Sequence, residues 1–456
     1  MLKLYNTLSR RKEAFGPLKG KKVNLFVCGV TPYDFTHIGH ARTYIVFDMM
    51  VKYLKRKNYN VFYLQNITDI DDKIIKRAKE KRISWINLSR KFEKEYLKDM
   101  KALKVNSVTK YARATDHIKD IIGQIKRLLK KDYAYRIEDG IYYDISKFKD
   151  YGKLSRRTVL GAEDAVSRID QSRGKKNKGD FCLWKFEKPG EPNWPSPWGA
   201  GRPGWHIEDT AIAEKFFGPR YDIHGGGRDL TFPHHEAEIA QMEAASGKKP
   251  LVKYWLHTGF LTVEGKKMAK SLGNFITIKD FLKKHSARLL RFIVLKNHYR
   301  SPLDYTENAI FQAEKELQRI DEFIGQIRNS IRQPADKIQN KPQISISKFQ
   351  KEFNTAMEDD FNTPKAMAVI FQLIRSGKTT KENLSFLKET DEFFHFIFSK
   401  KAKTEIPEKI MNLVRLREKY RQRKNWLKSD EIRKEIIDLG YWVEDTEEET
   451  KIKKIK

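Results

Sequence analysis

Apolar residues dominate positions 23–30 and read as a buried strand. A turn through Thr31-Pro32-Tyr33 follows, and the period then changes. Val46, Met50, Tyr53, Leu54 and Lys57 fall on one side of a helix. After Asn58 a second strand-like run, 61–67, completes a strand–helix–strand unit, the start of a parallel sheet with a right-handed crossover. Thr68-Asp69-Ile70-Asp71-Asp72-Lys73 comes next. Its three aspartates suit the capped, negatively charged start of a helix better than a metal site.

From about 114 to 204 the alternation breaks. Helical periodicity over 117–131 gives way to strand-like 140–144, a basic exposed loop at 171–179 and a buried strand at 180–185. Cys182 reads there as a small core residue. An irregular return rich in Pro, Gly and Trp, 189–204, closes this inserted α+β region. The alternation resumes with a helix headed by 204–209 and a strand at 221–224. Three glycines, Gly225, Gly226 and Gly227, end that strand and permit either close approach of a ligand or a flexible turn. Pro233 opens a helix that carries His234 and Glu238. Beyond Asn274, amphipathic stretches at 308–331 and 349–371, joined by a linker at 333–343, predict a helical bundle. A basic helix pair from about 405 is stopped by Gly440 and followed by a short strand at 441–445 and a frayed end at 451–456.

The expected class is therefore α/β. A Rossmann-like parallel-sheet domain (1–113 and 204–260) contains the connective insertion (114–203). A region at 261–307, the bundle at 308–400 and a small terminal domain at 401–456 complete the chain.

Chemistry enters at the first handover from strand to helix, where His37-Ile38-Gly39-His40 stands. Backbone N–H groups and the helix dipole favour an anion at such a turn, and two imidazoles beside a phosphate can donate to growing charge. Gly39 leaves room for close approach to the backbone. Lys and Arg number 91 against 60 Asp and Glu, a net charge of +31. A Lys-rich solvated surface or a polyanionic partner both account for that excess. Two cysteines, Cys28 and Cys182, make no disulfide framework, and no signal peptide or bilayer-spanning run is visible, so a cytoplasmic protein is expected. His234 and Glu238, four apart, share a helix face; on spacing alone they are an exposed pair, and Cys28 a buried thiol.

Far downstream lies Lys267-Met268-Ala269-Lys270-Ser271. With His37-Ile38-Gly39-His40 it resembles the paired signatures of class I aminoacyl-tRNA synthetases. Further stretches narrow the resemblance to the cysteinyl-tRNA synthetase family: Cys28-Gly-Val-Thr-Pro-Tyr-Asp, Asn66-Ile-Thr-Asp-Ile-Asp-Asp-Lys, Gly204-Trp-His-Ile-Glu, His224-Gly-Gly-Gly-Arg-Asp-Leu, Phe232-Pro-His-His-Glu, Met357-Glu-Asp-Asp-Phe-Asn-Thr-Pro and Ser429-Asp-Glu-Ile-Arg.

The resemblance implies ATP-dependent activation of L-cysteine and its transfer to tRNA(Cys), by a monomer with an anticodon-binding tail and Mg-ATP as substrate. It implies catalytic roles for His37, His40, Lys267 and Lys270, and contacts to the nucleotide from Gly39, Thr68, Asp229 and Lys270. Thr31, Trp205 and His224 are implied in the cysteine pocket. Family members hold zinc with two cysteines, a histidine and a glutamate. Carried over, the ligands are Cys28, His234 and Glu238, with Asp209 where the family has its second cysteine. The carboxylate keeps the formal charge but hardens the site. Ala269 replaces the family's usual serine. Two other readings are a ligase joining cysteine to an amino sugar, which lacks the tail, and a non-catalytic RNA-binding relative.

Overall fold

The structure, a computed structural model, describes residues 1–157, 172–269, 272–332, 346–398, 407–445 and 450–454. The chain forms two compact units, Met1–Phe398 and Ser399–Lys456.

A five-stranded parallel sheet runs through the larger unit in the order Val252–Thr258, Tyr221–Gly227, Lys22–Val30, Asn60–Ile67, Lys110–Arg113. The chain starts at the central strand and builds outward to one side, then returns to build the other. Crossovers therefore diverge between Lys22–Val30 and Tyr221–Gly227, where open α/β sheets bind their ligands. Alternation along the central strand covers both faces. Leu25 and Val27 join a core with Ile45, Phe47, Phe292, Phe353 and Phe394, whereas Phe26 and Cys28 join one with Trp184, Ile207, Ile239 and Trp255.

The inserted region holds an antiparallel sheet of Ala134–Ile137, Gly140–Tyr143, Phe181–Phe186 and Gly201–Pro203. Cys182 is buried as expected. The aspartate-rich stretch caps the helix Asp72–Lys81, with the Asp71 carboxylate accepting from the Lys73 amide, and Asp72 pairs with Lys185 and Arg202.

Several expectations need correction. The three glycines are not a turn; they continue the strand Tyr221–Gly227 and pair with Leu256, His257 and Thr258. A Cβ at Gly225 would lie 2.2 Å from the Phe47 ring, so the missing side chain lets the sheet close on the helix Ile38–Arg56. The stretch 349–371 is not continuous either. Helices Ile346–Glu358 and Thr363–Arg375 are separated at Asp360 and Phe361, both with positive φ, and Asn362 caps the second. The linker at 333–343 lies outside the described residues. In the smaller unit, helices Glu408–Gln422 and Trp426–Asp438 pack on the strand Tyr441–Asp445. The end expected to fray instead contributes Thr450–Lys454, antiparallel to that strand. Among the described residues no helix is long and apolar enough to cross a membrane.

Candidate active site and metal centre

Four side chains separated in sequence converge on the insertion-covered face of the sheet. Cys28 comes from the central strand, Asp209 from the helix Trp205–Phe217, His234 from the turn Thr231–His235, and Glu238 from the helix Glu236–Ser246. One donor atom from each lies within 4.8 Å of all the others, and all four residues are buried. His234 Nε2 stands 3.1 Å from both an Asp209 oxygen and Glu238 Oε1, and Cys28 Sγ stands 3.8 Å from Glu238 Oε1. Ligands about 2.0–2.3 Å from a tetrahedral zinc ion lie roughly 3.3–3.8 Å apart, so small side-chain adjustments close this set on one ion.

The electrostatics favour a cation here. Burial, reinforced by Glu238 and Asp209, pushes the Cys28 thiol well above its ordinary range. Burial and Asp209 likewise push the Glu238 carboxyl up. Glu238 Oε2 is buried without a hydrogen-bond partner. A divalent ion would reverse these shifts. The donor set (one sulfur, one nitrogen, two carboxylates) fits zinc.

Residues not singled out from the sequence surround this group. His206 Nδ1 lies 2.8 Å from His234 Nδ1, supporting the ring nitrogen opposite the cluster. His235 Nε2 lies 3.1 Å from Cys28 Sγ, while its Nδ1 meets His257 Nε2 at 2.8 Å. His224, expected in the cysteine pocket, stands 3.3 Å from Cys28 Sγ and stacks on Trp255. Cys28, His224, His235 and Glu238 thus form a second, overlapping set of possible ligands. Burial holds His206, His224 and His235 well below the ordinary imidazole range and brings His257 down to about 3, so these rings are neutral at pH 7. His206 and His235 sit beside recognised motif residues, a signal the sequence carried. His257 carries none.

Trp205 is partly exposed and stacks on His234 at 4.2 Å. Thr68 is buried behind Asp209, its hydroxyl donating to Glu208 and accepting from Asn66. Thr31 directly follows the central strand, and Asp229 follows Tyr221–Gly227 in an exposed turn.

At the signature turn the histidines cap their own helix. His37 Nδ1 accepts from the Gly39 amide at 3.1 Å, and His40 Nδ1 accepts from the His37 amide at 3.3 Å. The rings stack at 3.8 Å. Burial, with His37 and Lys73 nearby, holds His40 well below the ordinary range. A neutral imidazole accepting at Nδ1 carries its proton on Nε2, so the caps set the tautomer that donates. The room above Gly39 is taken first by the His37 ring, 2.9 Å from where a Cβ would sit, with Met268 Cε at 3.6 Å.

The downstream signature is anchored beside this turn. Ile38 donates to the Ile276 carbonyl and Ile278 to that of Thr36, at 3.1 and 2.9 Å. Phe275 packs edge-on to His37. Lys267 ends the short exposed strand Lys266–Lys267, whereas Lys270 lies outside the described residues.

Residues 14–315 match the family of class I (C) tRNA synthetase catalytic domains, and residues 352–395 match the DALR domain. Cysteine–tRNA ligases of Thermococcus gammatolerans and Caldicellulosiruptor saccharolyticus are each 45% identical. Each alignment covers 100% of this chain, with 99% and 100% of the respective relative. The solved Mycobacterium tuberculosis methionyl-tRNA synthetase in complex with methionyl-adenylate shares the fold at a TM-score of 0.61 and 13% identity, covering 83% of this chain and 88% of that one. The chain belongs to the cysteine–tRNA ligase family of class I aminoacyl-tRNA synthetases.

Proposed function

We propose that this chain activates L-cysteine with ATP to cysteinyl-adenylate and then transfers the cysteinyl group to tRNA(Cys). The observation that carries the reading is the convergence of Cys28, Asp209, His234 and Glu238 on the face of the parallel sheet next to its switch point. In this reading these four residues hold one zinc ion. When bound, that ion supplies a contact that a cysteine thiol satisfies and a serine hydroxyl does not, a discrimination that removes the need for editing.

The remaining steps belong to the chain's own side chains. The substrate carboxylate is itself the nucleophile, so catalysis consists of positioning and charge stabilisation. His37 and His40, each with its Nδ1 used in capping, offer Nε2–H donors to the phosphate under attack. Lys267 and Lys270 neutralise the departing pyrophosphate, Lys270 being the principal contact. Thr31, Trp205 and His224 enclose the amino acid, and Gly39, Thr68 and Asp229 line the adenylate. Trp205, stacked flat on His234, is suited to wall the substrate side of the metal centre. The unit Ser399–Lys456 is the anticodon reader, with exposed Trp426 and Trp442 each attended by an arginine. Family resemblance supports a cytoplasmic monomer.

The test is ATP–pyrophosphate exchange, followed by charging of tRNA(Cys). Exchange that requires cysteine and ignores serine, with acylation of the tRNA, is the expected result. Exchange followed by transfer only to an amino sugar, or RNA binding without exchange, would refute the proposal.

A further inference from the structure

The carboxylate at Asp209 raises a question of coordination: it brings two oxygens where a thiolate would bring one sulfur. The answer lies in Asn66, buried at the end of the strand Asn60–Ile67. Its carboxamide is engaged at both ends. Oδ1 accepts the Gly29 amide at 2.6 Å, and Nδ2 donates to Asp209 Oδ1 at 2.5 Å and to Thr68 Oγ1 at 3.2 Å. A backbone N–H can only donate, so the Gly29 contact fixes the flip of the carboxamide and turns its N–H₂ toward Asp209. The two strands are close enough here that a Cβ at Gly29 would lie 1.7 Å from the main-chain carbonyl oxygen of Asn66 and 3.1 Å from its Oδ1. Asp209 Oδ1 is thereby occupied, while Oδ2 faces His234 Nε2 at 3.1 Å.

We infer that Asn66 is a positioning residue that makes Asp209 a one-oxygen ligand, standing in for a thiolate. This rests on the metal centre proposed above. A carboxylate free to turn can chelate through both oxygens, which raises the coordination number and suits harder, larger cations than zinc. By restraining one oxygen, Asn66 makes the carboxylate count as a single donor, as a thiolate would. It also ties that ligand to the backbone amide of Gly29, the residue that follows Cys28.

The experiment compares the full-length wild type with Asn66→Ala, Asp209→Cys and the double variant, each loaded with zinc alone or cobalt(II) alone. Zinc affinity is read by competition with a chromophoric chelator, and coordination by the visible absorption of cobalt, intense when tetrahedral and weak when the number rises. Expected for Asn66→Ala is a roughly 10–100-fold loss of zinc affinity, the usual effect of removing an outer hydrogen bond to a ligand, and a weaker cobalt band. In the D209C background the same change should alter affinity by less than about threefold, because a thiolate has no second atom to restrain. Equal losses in both backgrounds, or an unchanged cobalt band, would overturn the inference. A wild-type chain without stoichiometric zinc would instead overturn the metal centre itself, and the inference with it. Should Asn66→Ala not fold, Asn66→Asp keeps an acceptor for Gly29 and removes the donor to Asp209, and the same comparison applies.

Discussion

Replacing Gly225 with alanine should damage the enzyme through a packing contact, that with the Phe47 ring. A methyl group there would sit 2.2, 2.4 and 3.0 Å from three atoms of the Phe47 ring. Carbon atoms rest at about 3.5–4.0 Å, so the closest pair must separate by about 1.3 Å. Neither partner can give easily. Gly225 is held in register between Val27 and Leu256, and Phe47 is fully buried in the core beneath the sheet. Overpacking of this kind costs about 1–3 kcal/mol, and the depth of the overlap argues for the upper end. Part of the displacement must pass to the helix Ile38–Arg56, whose first turn carries His37 and His40. Lower ATP–pyrophosphate exchange should therefore accompany the lower stability. Urea unfolding followed through the buried Trp184 and Trp255 measures the cost in the larger unit. Phe47→Ala alone should cost about 3–5 kcal/mol by leaving a cavity. Combined with Gly225→Ala it should cost less than the sum by about 1–3 kcal/mol, because the new methyl enters the vacated space. A Gly225→Ala variant within 0.5 kcal/mol of wild type, or strictly additive costs, would refute the steric account.

Other outcomes follow from the same contacts. Asp209→Ala should lose zinc affinity by more than the ~10–100-fold expected for an outer-shell change, read by metal analysis after dialysis; full retention would exclude the carboxylate as a ligand. Arg291 is fully buried, holding Asp48 and the carbonyls of Leu103, Phe393 and Phe394. Arg291→Met leaves Asp48 to Lys52, 2.9 Å away, unpairs the buried carbonyls that the guanidinium held and should cost about 1–3 kcal/mol in urea unfolding; a cost below about 0.5 kcal/mol would mean these bonds contribute little. Lys270→Ala should slow adenylate formation by about 10²–10³ while leaving cysteine binding nearly intact in single-turnover assays, and equal losses would contradict its assignment to the leaving phosphates. Deleting Ser399–Lys456 should weaken tRNA charging but preserve cysteine-dependent exchange, since that segment is a compact unit with its own core of Ile410, Val414, Ile432, Ile436 and Val443.

Local periodicity carried much of the fold. The central strand was legible as a continuous apolar run, and the signature helix because its apolar spacing reports which face is buried. The glycine run was misread because local sequence cannot reveal Phe47 lying across it. The break near Asp360 escaped because both flanking helices keep their apolar faces toward one core, so the period continues through it. The terminal hairpin was missed because Thr450–Lys454 is ordered by a partner strand rather than by its own composition. The metal candidates were found by motif, since no local spacing joins Cys28 to Glu238. Asn66 opens a recognised motif, but its bond to Asp209 exists only once the chain has folded, and no pattern along the chain announces His257.

The core beneath the sheet has a consequence for how the chain can be divided. Val27 and Phe47 share one continuous apolar interior with Phe353, Leu387 and Phe394, and Arg291 knits the same seam with main-chain bonds. The stretch covered by the catalytic family match, 14–315, therefore lacks part of its own core and should not fold alone. Cut at its end, it would bare a broad greasy underside and aggregate; cut after Phe398, it would keep its floor. What evolution reads as a module and what water recognises as one are, in this protein, different lengths of chain.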